Sequence, residues 1–378
     1  MVEVYKFGGA SVRGPEEVRN VVRILQRDET DRVVVLSAMG KTTNALEKVL
    51  EARRSGNPEV HEHLDAVIGF HLEVAGALGL TSDFVIESLQ PVVEELRNKV
   101  ATPPGENHDF EYDQIVSYGE VLSVIVVSGY LKKMGLDHLC GDARKLVRTD
   151  ASYRTARIDW PQTEALIRSA WIEACARSGD RPCLLLTQGF IGHTAEGHTT
   201  TLGREGSDFT ATIFAYALNA ERVTIWKDVP GMLNADPKFF PDAVKLPLVS
   251  YKEAVELAYY GASVIHPKTI QPAQNKGIPI VIRSFVRPDE EGSRIGPDEP
   301  VGRPVPSFII KSGQALISFS TRDFSFVAEE NLSELFGVFS AVGAQVHLMQ
   351  NSAIDFSVVV DHDERKVEAI RQACEKNY

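Results

Sequence analysis

Short unbroken apolar runs alternate with stretches of helical periodicity through the first three quarters of the chain. Residues 2–5, 32–36, 183–187, 222–226 and 279–283 are short and rich in branched apolar side chains, and they read as buried strands. Between them the period changes. Val18, Val21, Val22 and Leu25 recur at helical spacing within 16–25, and Val85, Leu89, Val92, Leu96 and Val100 form a second stripe. This alternation predicts an α/β fold: a three-layer αβα sandwich around a mainly parallel sheet. The stretch from Asn44 to about Val100 has little strand character. It reads as a helical insertion, 44–112, within a domain covering 1–288. A plain surface hairpin and a lid over a substrate both fit it.

Proline, glycine and charge crowd residues 289–307, which marks a linker. A smaller unit follows over 308–378. It reads as strand 315–321, helix 327–342, strands 345–350 and 355–361, and helix 365–375. The order βαββα resembles the ACT domain, a small ferredoxin-like regulatory module. That resemblance implies a fourth strand, which this sequence does not supply. The expectation is a partial module lacking its last strand, its edge completed by a longer chain or by a second one. An unpaired edge is otherwise a liability.

The chemistry begins at the first strand. Val4-Tyr5-Lys6-Phe7-Gly8-Gly9-Ala10-Ser11-Val12 carries a strand into a lysine and two glycines. Without a Cβ, such a turn lets backbone N–H groups approach an anion, and the lysine adds a full charge. An ordinary turn with a solvated lysine fits the run equally well. Thr201-Leu202-Gly203-Arg204-Glu205-Gly206-Ser207-Asp208 repeats the grammar of glycines, cation and acid ahead of an amphipathic stretch. Val223-Thr224-Ile225-Trp226-Lys227-Asp228-Val229-Pro230-Gly231 and Gly261-Ala262-Ser263-Val264-Ile265-His266-Pro267 complete the set. In this order the four runs resemble the aspartate kinase (aspartokinase) family of the amino-acid kinase superfamily, across essentially the whole chain.

Composition narrows the partners. The chain has 378 residues and a formal net charge of −12, which argues against a general nucleic-acid or anionic-membrane binder. Phosphate binding must then be local. Cys140, Cys175, Cys183 and Cys374 show no C-x-x-C spacing and suit a reducing compartment. No charged and apolar leader precedes the first strand, and residues 121–131 are too short to span a bilayer, so a cytoplasmic protein is expected. Gly40-Lys41-Thr42 is not a Walker A loop, because Val35 stands where that motif needs glycine. His61-Glu62-His63 lacks the spacing that puts two imidazoles on one helix face. No metal ligand set is expected.

The resemblance assigns roles residue by residue. Lys6 is the catalytic lysine at the β- and γ-phosphates of ATP, with Gly8 and Gly9 donating backbone N–H groups. Asp208 is the organising aspartate, and the N-cap of the following helix is its other reading. Arg204 can meet a substrate carboxylate with two parallel bonds. Glu120 is the ammonium partner, or else a helix-start carboxylate that answers the dipole. Ser37 and Thr43 are substrate hydroxyls, and Phe190 is a wall of the substrate site or plain core. Lys227, Asp228, Gly231 and Lys238 fall at ATP contacts. Lys227 stands where many members have threonine, Leu233 where many have tyrosine, Lys238 where arginine is frequent, and Ser263 where lysine is usual. Mg²⁺ is expected to be held largely by phosphates and water.

The resemblance therefore implies ATP-dependent phosphorylation of L-aspartate to 4-phospho-L-aspartate, the entry to lysine, threonine and methionine synthesis. An amino-acid kinase for another small acid, or a sensor with a decayed nucleotide site, are the alternatives. A homodimer through the ACT region is expected. His347 and Ala353 stand where a lysine-binding pattern is acidic, so weak or absent inhibition by lysine is expected.

Overall fold

The computed structural model describes residues 1–27, 29–262, 264–297, 305–320, 326 and 328–375. The chain divides into two compact units, Met1–Ser307 and Phe308–Tyr378.

The first unit contains β1 (Val2–Phe7), β2 (Asp31–Leu36), β3 (Leu139–Gly141), β4 (Leu184–Gln188), β5 (Ile191–His193), β6 (Thr199–Thr201), β7 (Arg222–Lys227), β8 (Leu248–Ser250), β9 (Ile280–Ser284) and β10 (Ser293–Gly296). Eight of these form one sheet in the order β3-β4-β2-β1-β7-β9-β10-β8, while β5 and β6 make a separate antiparallel pair. Pairing from β3 to β9 is parallel; β10 runs antiparallel to β9 and parallel to β8. The first strand lies at the centre, with β2 on one side and β7 on the other. In an open α/β sheet, such a reversal of strand order leaves a crevice at the carboxyl ends.

The first strand is longer than its apolar run. It continues through Lys6 and Phe7, which pair with Val35 and Leu36 on one side and Ile225 and Trp226 on the other. Phe7 stacks on Trp226 with ring centroids 6.0 Å apart and planes 6° from parallel. Aromatic packing thus holds together the ends of β1 and β7, the ends that carry Lys6 and Lys227.

Helices cover the sheet. They are α1 (Pro15–Leu25), α2 (Thr42–Ser55), α3 (Val60–Ala77), α4 (Ser82–Phe84), α5 (Gln90–Ala101), α6 (His108–Val116), α7 (Tyr118–Lys133), α8 (Ala143–Leu146), α9 (Trp160–Ser178), α10 (Gly206–Leu218), α11 (Tyr251–Tyr260) and α12 (Pro267–Asn275). The stripe at Leu89, Leu96 and Val100 is the buried face of α5 and of the π-helical turn before it. The helical run does not stop at 112, which lies inside α6; it continues to Lys133. Taken together, α6 and α7 are long and apolar enough to cross a membrane, yet this stretch is almost wholly buried inside the unit and forms its core. The segment 289–307 is not all linker either. β10 joins the large sheet because Ser293 and Ile295 are buried against β9, and residues 298–304 lie outside the described residues.

The second unit holds β11 (Gln314–Ser320), α13 (Glu329–Ala341), β12 (Val346–Asn351), β13 (Asp355–Asp361) and α14 (Glu364–Cys374). The sheet order is β11-β13-β12, all antiparallel. Phe319, Phe356, Val358 and Val360 pack with Leu335, Phe339 and Ile370. The expected βαββα order is present; positions 321 and 327, where a strand end and a helix start were expected, lie outside the described residues.

One core group is polar. His71 on α3 is fully buried, its Nδ1–H donates to the Val67 carbonyl at 2.8 Å, and its Nε2 has no partner. Burial pulls its pKa below the usual histidine value, despite the opposing effect of the Val67 bond. The unfolded chain therefore takes up a proton below about pH 6.5 that the folded chain resists, and stability falls as pH drops through that window. Urea unfolding at pH 7.5 and 5.5 should show a smaller acid loss in His71→Leu than in the parent, by at most about 1.4 kcal/mol per pH unit. An unchanged pH dependence would place the titration elsewhere.

Candidate active site

A cavity of about 640 Å³ opens at the carboxyl ends of the central strands, as the strand order requires. β1 supplies Lys6, and Gly9 follows it; Ser37 follows β2, and Lys227 ends β7. The first turns of α2, α7 and α10 bring Thr43, Glu120 and Asp208. Phe190 sits in the turn between β4 and β5, and Arg204 precedes α10. Gly8 adjoins Lys6: a Cβ there would lie 3.3 Å from the lysine Nζ. At Gly9 a Cβ would come within 2.9 Å of the Ala38 carbonyl oxygen, so this close crossing admits only glycine.

Charge is organised around Asp208. Lys6 Nζ lies 2.6 Å from Oδ1 and Lys227 Nζ 3.0 Å from Oδ2. Lys227 also donates to the Val264 carbonyl. Burial alone would push the Asp208 carboxyl up, but the two lysines hold it below the usual range. Burial likewise opposes charge on Lys227, and Asp208 with Glu205 more than offsets this, so its pKa is raised. Lys227 therefore stays charged at neutral pH. Asp208 does not cap its helix. Glu205 occupies that position, in the left-handed region at φ 53, and Asp208 lies three residues on, in the first turn.

Glu120 is buried too, but among the described residues it has no ion pair. Its Oε1 accepts from Ala38 N at 3.2 Å, and Oε2 has no partner. Burial pushes its pKa up to about 8, against the pull of backbone donors and of Lys6. Ser123 Oγ on the same helix donates to the Ser37 carbonyl at 2.7 Å and ties α7 to the end of β2. Phe190 is held at φ 69 by its N–H to Thr210 Oγ1 and by its carbonyl, which accepts from Leu202 N. Arg204 is exposed on the cavity wall and makes no ion pair among the described residues.

The cavity lining does not include Asp228, Gly231 or Lys238. Asp228 and Lys238 are exposed. Gly231, at φ 147, packs where a Cβ would meet Ser293 Oγ at 2.4 Å. Ser263 lies outside the described residues. Sequence reasoning missed Tyr112, Arg154, Thr155 and Thr201, which also line the cavity. Thr201 opens the 201–208 run and Tyr112 lies eight residues before Glu120, so proximity was a signal for these two; Arg154 and Thr155 come from a segment without a motif and gave none.

Two lysines on a buried carboxylate bind polyanions, and an orphaned carboxyl in the same cavity accepts a cation. Such a site fits phosphoryl transfer to a small zwitterionic acid. The amino acid kinase family profile matches residues 1–284. Lysine-sensitive aspartokinase 3 of Escherichia coli strain K12 is 30% identical over 368 residues, covering 95% of this chain and 78% of that protein. The bifunctional chloroplastic aspartokinase/homoserine dehydrogenase 2 of Arabidopsis thaliana is 31% identical, and the chain spans 42% of its length. Among solved structures, E. coli aspartokinase III in complex with aspartate and ADP superposes with a TM-score of 0.83 at 27% identity, covering 98% of this chain and 83% of that one. The chain belongs to the amino acid kinase family and, within it, to the aspartokinases.

The Glu120 geometry has a measurable consequence. With a pKa near 8 the carboxyl is largely protonated at pH 7, and an arriving ammonium favours its ionised form. Binding of an amino acid at this carboxyl should release close to one proton at pH 7 and less at pH 9. Calorimetry in buffers of different ionisation enthalpy measures the number. Glu120→Gln should abolish the release and weaken binding by about tenfold or more; an unchanged release would show that another group titrates.

Proposed function

We propose that this chain transfers the γ-phosphoryl group of ATP to the side-chain carboxylate of L-aspartate, giving ADP and 4-phospho-L-aspartate. The observation that carries the reading is the pair of opposed carboxyls in one cavity: Asp208 saturated by two lysines, and Glu120 waiting for a cation. The similarity to aspartokinases, one of them solved with aspartate and ADP, supports it.

The substrate carboxylate is already ionised at neutral pH, so no general base is required. One carboxylate oxygen forms a bond to the γ-phosphorus while the bond to the bridging oxygen breaks, and the electron pair leaves with ADP. Lys6 and Lys227 face the phosphates, where they offset the charge that moves onto the bridging oxygen. Gly8 and Gly9 offer backbone N–H groups in a turn without side chains. Asp208 holds both lysines in place. Glu120 meets the α-ammonium and Arg204 the α-carboxylate. Ser37 and Thr43 orient the acid by their hydroxyls, and Phe190 closes the wall. Asp228, Gly231 and Lys238 belong to the nucleotide's far side. The cationic pair suits triphosphate, and Mg²⁺, when bound with it, neutralises phosphate charge further. The acyl phosphate product fits the first step of lysine, threonine and methionine synthesis in the cytoplasm.

A hydroxamate assay over a panel of acids tests the assignment. Aspartate should be the preferred acceptor. Lys6→Ala and Lys227→Thr should each lower kcat by about 10²–10³-fold, while Arg204→Lys should chiefly raise the KM for aspartate. Preference for glutamate or acetylglutamate would overturn the reading.

The second unit is our proposed site of homodimerisation. Among the described residues β11 pairs on one side only, and Leu316 on it is 70% exposed. His347 Nε2 lies 3.0 Å from Asp361 and 2.8 Å from Lys311 Nζ, so Asp361 is already engaged and little acidic character is left there for an ammonium ligand. Light scattering should report a dimer, and millimolar lysine should leave activity nearly unchanged. A monomer, or strong inhibition by lysine, would contradict this assignment.

A further inference from the structure

A third buried carboxyl lies beside the cavity and takes no part in the reaction just described. Asp113 on α6 is fully buried. Among the described residues, no lysine or arginine side chain lies on its oxygens. Instead Oδ2 accepts from Thr201 N at 2.8 Å and Arg154 N at 3.0 Å, and Oδ1 from Thr201 Oγ1 at 2.6 Å and Arg154 N at 3.2 Å. The carboxyl thus stitches three separate segments together. One is α6 itself, which runs through Ser117 straight into the turn of α7 that carries Glu120. The second is the loop at Arg154, which adopts φ 65 and so needs an outside hold. The third is β6, three residues ahead of Arg204. Two further bonds reinforce the same seam: Ala156 N donates to Thr201 O at 3.0 Å, and Gln114 Nε2 to Thr199 O at 2.8 Å. Tyr112, Arg154, Thr155, Thr201 and Arg204, all on the cavity wall, belong to the segments so joined.

We infer that Asp113 is a positioning residue that sets the separation between Glu120 and Arg204, and hence the recognition of the amino-acid head of the acceptor. This rests on the roles given to Glu120 and Arg204 above. A hydroxyl or an amide would not serve equally. All four contacts bring donors to the carboxyl, so the position needs an acceptor at both oxygens. Asparagine turns one of them into a donor that faces N–H groups, and the seam opens.

The same demand makes the seam sensitive to acid. Burial raises the Asp113 pKa to about 6, while the Thr201 hydroxyl and the Arg154 and Thr201 amides hold it from going higher. The surrounding charges are few. Arg154 turns its guanidinium over the Tyr112 ring at 4.2 Å and towards Asp109 at 3.6 Å. Tyr112 donates to Glu47 at 2.9 Å, and Tyr153 stands in the Arg154 loop. β6 brings no ionisable side chain. A proton on Asp113 replaces an acceptor with a donor, so as pH falls through about 6 binding of the acid weakens beyond the loss that protonation of Glu120 already brings.

The experiment is calorimetry of L-aspartate, and of succinate as the analogue without an ammonium, on the full chain with ADP at pH 7.5 and 5.5, beside steady-state kinetics. The parent should lose aspartate affinity at pH 5.5 by about threefold or more beyond the acid loss that Asp113→Asn shows, the latter being the part that belongs to Glu120. Asp113→Asn should raise the KM and Kd for aspartate about tenfold at pH 7.5, change kcat less than about threefold, and narrow the preference for aspartate over succinate. Thr201→Val, close in shape, removes the largest hydrogen bond that lowers the Asp113 pKa, and should move the acid limb to higher pH. Equal losses in KM and kcat, an unchanged aspartate-to-succinate ratio, or an acid limb unmoved by Thr201→Val would each overturn the inference alone. Absence of any aspartate binding to the parent at pH 7.5 would overturn the proposed function, and this inference with it.

Discussion

The structure turns on a buried carboxylate between two lysines. A lone ionised group in a low-dielectric interior costs several kcal/mol, and Asp208 is 1% exposed. Lys6 and Lys227 remove that cost only if both ammonium groups arrive from opposite sides of one side chain. Two adjacent parallel strands accomplish this, because their carboxyl ends lie side by side. The Phe7–Trp226 stack locks those ends, and α10 packs over β1 to bring the aspartate down between them. Asp208 also lies in the first turn of its helix, where the backbone dipole favours an anion. Sheet order, aromatic packing and helix placement all serve one charge arrangement.

Two carboxyls of nearly equal burial behave oppositely in this cavity. Asp208 is held below the usual range and Glu120 is raised to about 8. Burial acts on both in the same direction; the difference is the partners. Asp208 has two cations in contact, whereas Glu120 has one backbone donor and an unpartnered oxygen. Environments that push paired groups apart in pKa divide a site into roles. In the proposed reaction the division separates a surface for phosphates from a surface for an ammonium. An acidic protein with net charge −12 thereby gathers two lysines at one carboxylate inside its cavity.

Much of this was legible in the chain. The buried strands announced themselves as short apolar runs, and the glycine-rich turns after them marked the cavity. Lys6 stands in one run, and Arg204 and Asp208 in another, whose residue types already implied charge near a turn, whereas Glu120 was assigned through the resemblance. Strand ends were less legible. Phe7 looked like the start of a loop because Lys6 interrupts the apolar run, and only the pairing with Leu36 and Trp226 extends the strand. Likewise, Ser293 and Ile295 looked like linker because proline and charge surround them, and tertiary burial overrides that composition. The cap of α10 was misplaced because Glu205 adopts a left-handed backbone that its residue type does not announce. Asp113 gave no signal: its importance comes from Thr201 and Arg154, distant residues that only the fold brings together.

Lys227 shows where residue matching stops and geometry must take over. In the resemblance this position is usually threonine, and Ser263 stands where a lysine is usual. Counted position by position, the chain has lost one phosphate cation and gained an odd substitution. The Lys227 ammonium reaches Asp208 and the carbonyl of Val264, the residue next to Ser263. In the proposed reaction the Lys227 ammonium, from the end of β7, supplies a phosphate cation that a serine at 263 does not. A phosphate responds to the position of the charge and not to the backbone that bears it. The same carboxylate that holds Lys6 also holds Lys227, so the relocation needs no second anchor. The two departures read as one compensated change, with the cationic character of the cavity kept intact.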